Sequence, residues 1–122
     1  MTNAEFLNNY FGTNYNRWMK CRWPYFKDLK VWMIYLDGNV RMRWKNTIDG
    51  NKVFEEYVGL EEDKLPEHKS FEENYRLIVD KAQNFKILGV YKYDRLNSNM
   101  LKYRIWEKVA NSLEEFLQKQ GV

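Results

Sequence analysis

One cysteine, one histidine, two prolines and six glycines stand in a chain of 122 residues. A lone cysteine excludes a disulfide within the chain. With only one histidine beside it, a zinc finger and any catalytic scheme needing two histidines are excluded too. No apolar run approaches the roughly 18 residues of a membrane-spanning helix. The start, Met1-Thr2-Asn3-Ala4-Glu5, lacks the basic-then-apolar order of a secretory leader. These absences predict a soluble chain in a reducing cytoplasm, with Cys21 a plain buried or half-buried thiol between Lys20 and Arg22. A phosphate-binding glycine loop, a dinucleotide fingerprint and a Gly-x-Ser-x-Gly elbow are also missing. The expectation is therefore a non-catalytic protein without cofactor or metal.

Aromatic residues are what the chain has in excess: 17%, as 5 Trp, 9 Tyr and 7 Phe. Each buries about 150–250 Å², so they can fill the core of one compact domain spanning 1–122. Charge is unevenly placed around a net +3. Residues 1–54 carry 9 Lys/Arg and 4 Asp/Glu, residues 55–80 carry 3 and 9, and residues 81–122 carry 8 and 4. Two basic segments flank an acidic one. That pattern excludes a wholly acidic DNA mimic and permits contact with a polyanion.

Local patterns predict the order helix, hairpin, possible strand, helix, hairpin, helix. Thr2 and Glu5 form a capping box, Leu7, Tyr10 and Phe11 follow at helical spacing, and Gly12 closes the helix. Residues 13–28 read as a loop with one short strand at most. Lys30 to Leu36 and Val40 to Lys45 read as a hairpin turning at Asp37-Gly38-Asn39. Its alternation places Val40, Met42 and Trp44 on one face and Arg41, Arg43 and Lys45 on the other. Lys52 to Val58 fits a third strand or a helical turn. Ser70 and Glu73 cap a helix whose stripe is Phe71, Tyr75, Ile78, Val79 and Ala82. Phe85 to Asp94 and Leu101 to Val109 form a second hairpin, and Ser112 with Glu115 starts a last helix ending at Gly121. The fold class expected is α+β: an antiparallel sheet of four to five strands built from two β-hairpins, with about three helices packed on one face.

Two groups of residues are candidates for binding. Arg41, Arg43 and Lys45 on the first hairpin, with Lys102, Arg104 and Lys108 on the second, would grid one sheet face with positive charge. Trp106 falls in phase with the second set. Phosphates meet such a grid and an aromatic ring stacks on bases, so these seven form the expected nucleic-acid surface. Arg17, Trp18, Arg22, Trp23 and Tyr25, crowded before and around Pro24, form a possible recognition loop of the residue types enriched in binding hot spots. A metal-dependent nuclease is the minority reading, from Glu62-Asp63-Lys64 and Glu67-His68-Lys69 in the acidic loop.

Ile87-Leu88-Gly89-Val90-Tyr91-Lys92-Tyr93-Asp94, followed by Arg104-Ile105-Trp106-Glu107-Lys108-Val109-Ala110, is similar to hairpins of small DNA-sensing β-domains associated with bacterial restriction systems. The resemblance implies recognition of DNA, ahead of RNA, with modified or flipped bases held in an aromatic pocket. The expected function is thus a binding domain that engages nucleic acid through a basic, aromatic-bearing sheet face. Small size without catalytic motifs supports an alternative. This is a phage or mobile-element accessory protein, anti-CRISPR-like, that inhibits a host defence nuclease by binding that nucleic-acid-binding protein.

Overall fold

The computed structural model describes residues 1–26, 28–59, 74–98 and 102–120. Helix α1 (Asn3–Phe11) leads into strands β1 (Arg22–Phe26), β2 (Leu29–Ile34), β3 (Val40–Arg41), β4 (Trp44–Asp49), β5 (Lys52–Tyr57) and β6 (Tyr75–Asp80). A short 3-10 turn at Lys81–Gln83 precedes β7 (Lys86–Tyr93), β8 (Tyr103–Ala110) and helix α2 (Leu113–Lys119). The strands form an 8-stranded sheet in the order β1-β2-β6-β7-β8-β5-β4-β3. All neighbours are antiparallel except β2 and β6, which run parallel. The expected four-to-five-stranded antiparallel sheet with three helices is therefore wrong: the sheet is larger and mixed, with two α-helices among the described residues. Among the described residues no helix is long and apolar enough to cross a membrane.

Both helices start as their sequences dictate. Thr2 Oγ1 accepts the Glu5 N–H at 3.1 Å, and Ser112 Oγ accepts the Glu115 N–H at 3.0 Å. The Glu115 carboxylate reaches back to the Asn111 N–H at 2.7 Å. Gly12, in the left-handed region, returns its N–H to Asn8 O and ends α1. Phe6 and Leu7 of α1 and Leu113 and Phe116 of α2 pack on one face of the sheet, over Leu29, Val31, Met33, Leu77, Val79 and Val90. Burying each of these large side chains contributes about 1.5–3 kcal/mol, which is what holds two short helices in place.

The predicted helix over 70–82 is corrected to strand β6 where it is described. Phe71 and its cap lie outside the described residues. Leu77-Ile78-Val79 is apolar on every residue because β6 lies between β2 and β7 and is covered on both faces. A run buried on both sides loses the period of two that marks a strand, and mimics a helix stripe. The expected first hairpin, Lys30–Leu36 with Val40–Lys45, does not form: β2 pairs with β1 and β6, and β3 lies at the far edge of the sheet beside β4. The hairpin here is β3–β4, whose tip is Met42-Arg43, both at positive φ (51° and 70°). Met42 is 94% exposed instead of facing inward with Trp44. Pro24 stands in an edge strand, where a missing N–H costs no ladder bond.

The sheet curls away from the helices. Three strand spacings separate β2 from β8, about 14 Å in a flat sheet. Yet the rings of Trp32 (β2) and Trp106 (β8) lie 6.3 Å apart. Register shifts in the β6–β7 and β7–β8 pairings flank Gly89, whose φ is 136°. A side chain at that position would run into the Ala110 carbonyl, so only glycine lets β7 bend so close to β8. The inner face thus becomes the wall of a cleft.

Candidate ligand cleft

Strand pairing builds the cleft in rows. Asn46 on β4 stands opposite Glu55 on β5, and Glu55 stands opposite Arg104 on β8. Behind this polar row lies an apolar one, Ile48, Val53 and Trp106. In front of it Trp44 pairs with Tyr57, their rings edge to face at 5.5 Å. From across the curl, Trp32 and Ile34 of β2 face the same space. The cavity measures about 640 Å³, within the usual range for a small-molecule or nucleotide site.

Its floor is ionic. Glu55 Oε1 accepts from Arg76 Nη1 at 3.3 Å, from Arg104 Nη1 at 3.5 Å and from the Trp106 indole N–H at 3.4 Å. The Arg76 guanidinium is stacked between Trp32 and Trp106, 4.4 and 4.1 Å from the ring centroids. The Arg76 and Arg104 side chains are 0% and 1% exposed. Burial, partly offset by Glu55, pushes the Arg104 guanidinium below its ordinary pKa. A buried ion pair is weak evidence of stability, because desolvation cancels much of the attraction. A buried cluster opening onto a cleft is better explained by what it presents there. Asn46 Oδ1 is buried and accepts no hydrogen bond from the described residues.

The rim is basic. Arg41, Arg43, Arg22 and Lys81 line the mouth, and Glu55 is the one carboxylate among the lining residues. Arg41 makes a two-pronged pair with Asp37 at 2.7 Å and lies over the Tyr35 ring at 4.2 Å. Those hydrogen bonds hold the Asp37 carboxyl well below the usual carboxylate range. Backbone strain sits here too, since Met42 and Arg43 occupy the left-handed region without being glycine. The Val58 N–H anchors the strained tip through Arg43 O at 2.8 Å.

The seven residues expected to share one solvent face are separated. Arg41, Arg43 and Arg104 do meet, but at the cleft, with Arg104 on its floor. Trp106 is 0% exposed and lies beneath the cleft, so it cannot stack on a ligand from solvent. Lys45 points to the opposite face, across from Glu56, because the turn at Met42-Arg43 reverses the assumed phase. Lys102 is exposed beyond the start of β8, and Lys108 lines a separate groove with Lys92 and Glu107. The alternation that puts Arg104 and Trp106 on one face was legible; that this face is the inside of a curl was not.

The recognition loop divides as well. Trp23 and Tyr25 pack on Phe11 of α1 at 4.9 and 5.0 Å, and the Trp23 indole donates to Tyr15 OH at 2.9 Å. They are scaffold for the helix-covered face. Arg22 belongs to the cleft, whereas Arg17 and Trp18 line a neighbouring depression. Both nuclease tripeptides, and His68, lie outside the described residues. Sequence reasoning missed Asn46, Glu55, Trp44 and Tyr57 as site residues, because only the curl and the β4–β5–β8 register bring them together. No family model and no curated protein matches this chain, so its function has to be read from the cleft itself.

Proposed function

We propose that this chain is a non-catalytic nucleic-acid-binding domain that seats one unstacked base in the cleft. The observation that carries the reading is the polar row Asn46–Glu55–Arg104 at the bottom of an aromatic-walled cavity. An amide, a carboxylate and a guanidinium side by side offer donors and acceptors in one line, the pattern a base edge requires. Trp44 and Tyr57 give the base a stacking wall. Arg41, Arg43 and Lys81 at the rim suit the attached phosphate. Extrusion of a base from a duplex costs a few kcal/mol, so single-stranded, mismatched or modified positions are favoured. A base held among aromatic rings is also what the resemblance of the β7–β8 sequence implies. Cys21, expected to be buried or half-buried, is exposed, and a free thiol accords with a cytoplasmic setting.

Calorimetric titration with the four deoxynucleoside monophosphates and their ribose counterparts tests the reading. At least one should bind with a 1:1 stoichiometry, and Asn46→Leu should weaken it by about tenfold, the loss of one hydrogen-bonded edge contact. Absence of binding by every nucleotide and every short oligonucleotide at low salt would refute it.

A further inference from the structure

We infer that the ligand is a single strand, and that Trp18 stacks the nucleotide next to the one in the cleft; this rests on the base-seating reading above. A second depression of about 640 Å³ adjoins the cleft, and Tyr35 and Lys81 line both. They are the shared wall between the two spaces. Tyr35 is approached by two cations, Arg41 Cζ at 4.2 Å and Lys81 Nζ at 5.0 Å from its ring centroid.

Trp18 is 80% exposed and has no ring partner among the described residues. It is therefore not a core residue that happens to graze the surface. Arg17 beside it lies 5.8 Å over Tyr15, and neither Arg17 nor Lys81 makes an ion pair with a described carboxylate. Glu5 is the one carboxylate lining this depression, and it is engaged with Thr2 at the start of α1. A flat exposed indole that shares its depression with Arg17 and Lys81 matches one base face and its flanking phosphates. Lys81, on the shared wall, is where the phosphate joining the two nucleotides would lie. A duplex keeps successive bases stacked on each other and presents neither face, so the geometry points to a single strand.

The test compares a mononucleotide with a tetranucleotide of the same base, against the intact chain, Trp18→Ala and Trp18→Phe, at fixed salt. The tetranucleotide should bind the intact chain at least about tenfold tighter, in line with one base–aromatic stack. Trp18→Ala should remove most of that gain, Trp18→Phe should keep part of it, and mononucleotide affinity should not change in either. Melting curves should be unaltered, since the side chain is exposed. If the mononucleotide binds but the tetranucleotide has no advantage, or keeps it in Trp18→Ala, the second subsite is overturned and the base cleft stands. If neither ligand binds, the cleft reading falls and the subsite with it.

Discussion

Glu55→Gln removes one negative charge from beneath the cleft while keeping the side chain's shape. Two guanidiniums approach the lost carboxylate oxygen at 3.3 and 3.5 Å. At an effective dielectric constant of 20, each attraction is about 5 kcal/mol before desolvation is counted. Desolvation was already incurred when the arginines were buried, so removing their counter-charge leaves it uncompensated, at a cost of about 3–5 kcal/mol. Both guanidiniums make further interactions, which places the loss near the lower end. For 122 residues, an unfolding entropy of about 2.1 cal/mol/K per residue turns ~3 kcal/mol into a drop in Tm of about 12 °C. Thermal melts followed by far-ultraviolet dichroism and tryptophan fluorescence read this directly. A drop under about 4 °C, or 1 kcal/mol, would refute the reasoning. A companion variant separates charge from packing. Glu55→Met, Arg76→Met and Arg104→Leu together should come within about 1 kcal/mol of the parent or exceed it, because the cluster then buries no charge. That protein should be folded and unable to bind a nucleotide.

Other perturbations have equally definite outcomes. Met42→Asn places a residue tolerant of positive φ at the hairpin tip and should raise stability by about 1 kcal/mol in a urea titration; no gain means the tip is unstrained in solution. Gly89→Ala should cost about 3 kcal/mol or more, since its methyl meets backbone rather than a movable side chain; a neutral result would show that β7 and β8 are not so closely apposed. Asp37 and Glu115 have folded pKa values below their ordinary ones, through Arg41 and through the Asn111 N–H respectively. Their stabilisation is present above the ordinary carboxylate range and is lost as pH falls through the lowered values. Carbon-13 titration of the carboxyls should find Asp37 well below 3.8, and a value at or above that would mean the pair with Arg41 does not form.

Much of the local structure was readable from the residues. Capping boxes at Thr2 and Ser112 announced both helices because their chemistry is complete within four residues. The strand of Leu29–Ile34 and the β7–β8 hairpin declared themselves through β-branched and aromatic content. Errors arose where tertiary surroundings decide. Tyr75–Asp80 is covered on both faces, so its pattern lost the alternation that marks a strand. Met42-Arg43 turns against local preference, and no glycine or asparagine there signals it. Exposure of a basic strand face was inferred from polarity, yet Arg104 is buried because Glu55 of β5 and Trp44 of β4 receive it. A curl that brings β5 opposite β6 depends on a bulge around Gly89, which a single glycine inside a strand only hints at.

The strand order also constrains how the chain acquires its fold. Hairpins β4–β5 and β6–β7 join neighbours in sequence and can form early. The β2–β6 pairing joins Leu29 to Tyr75, and the β5–β8 pairing joins Lys52 to Glu107. Such non-local ladders wait on the closure of long loops, so they set the slow step. Glu55, Arg76 and Arg104 come one each from β5, β6 and β8, so their cluster is assembled only when those late pairings are made. A chain that has not finished folding therefore has no cleft, and any ligand of the cleft captures only the completed molecule.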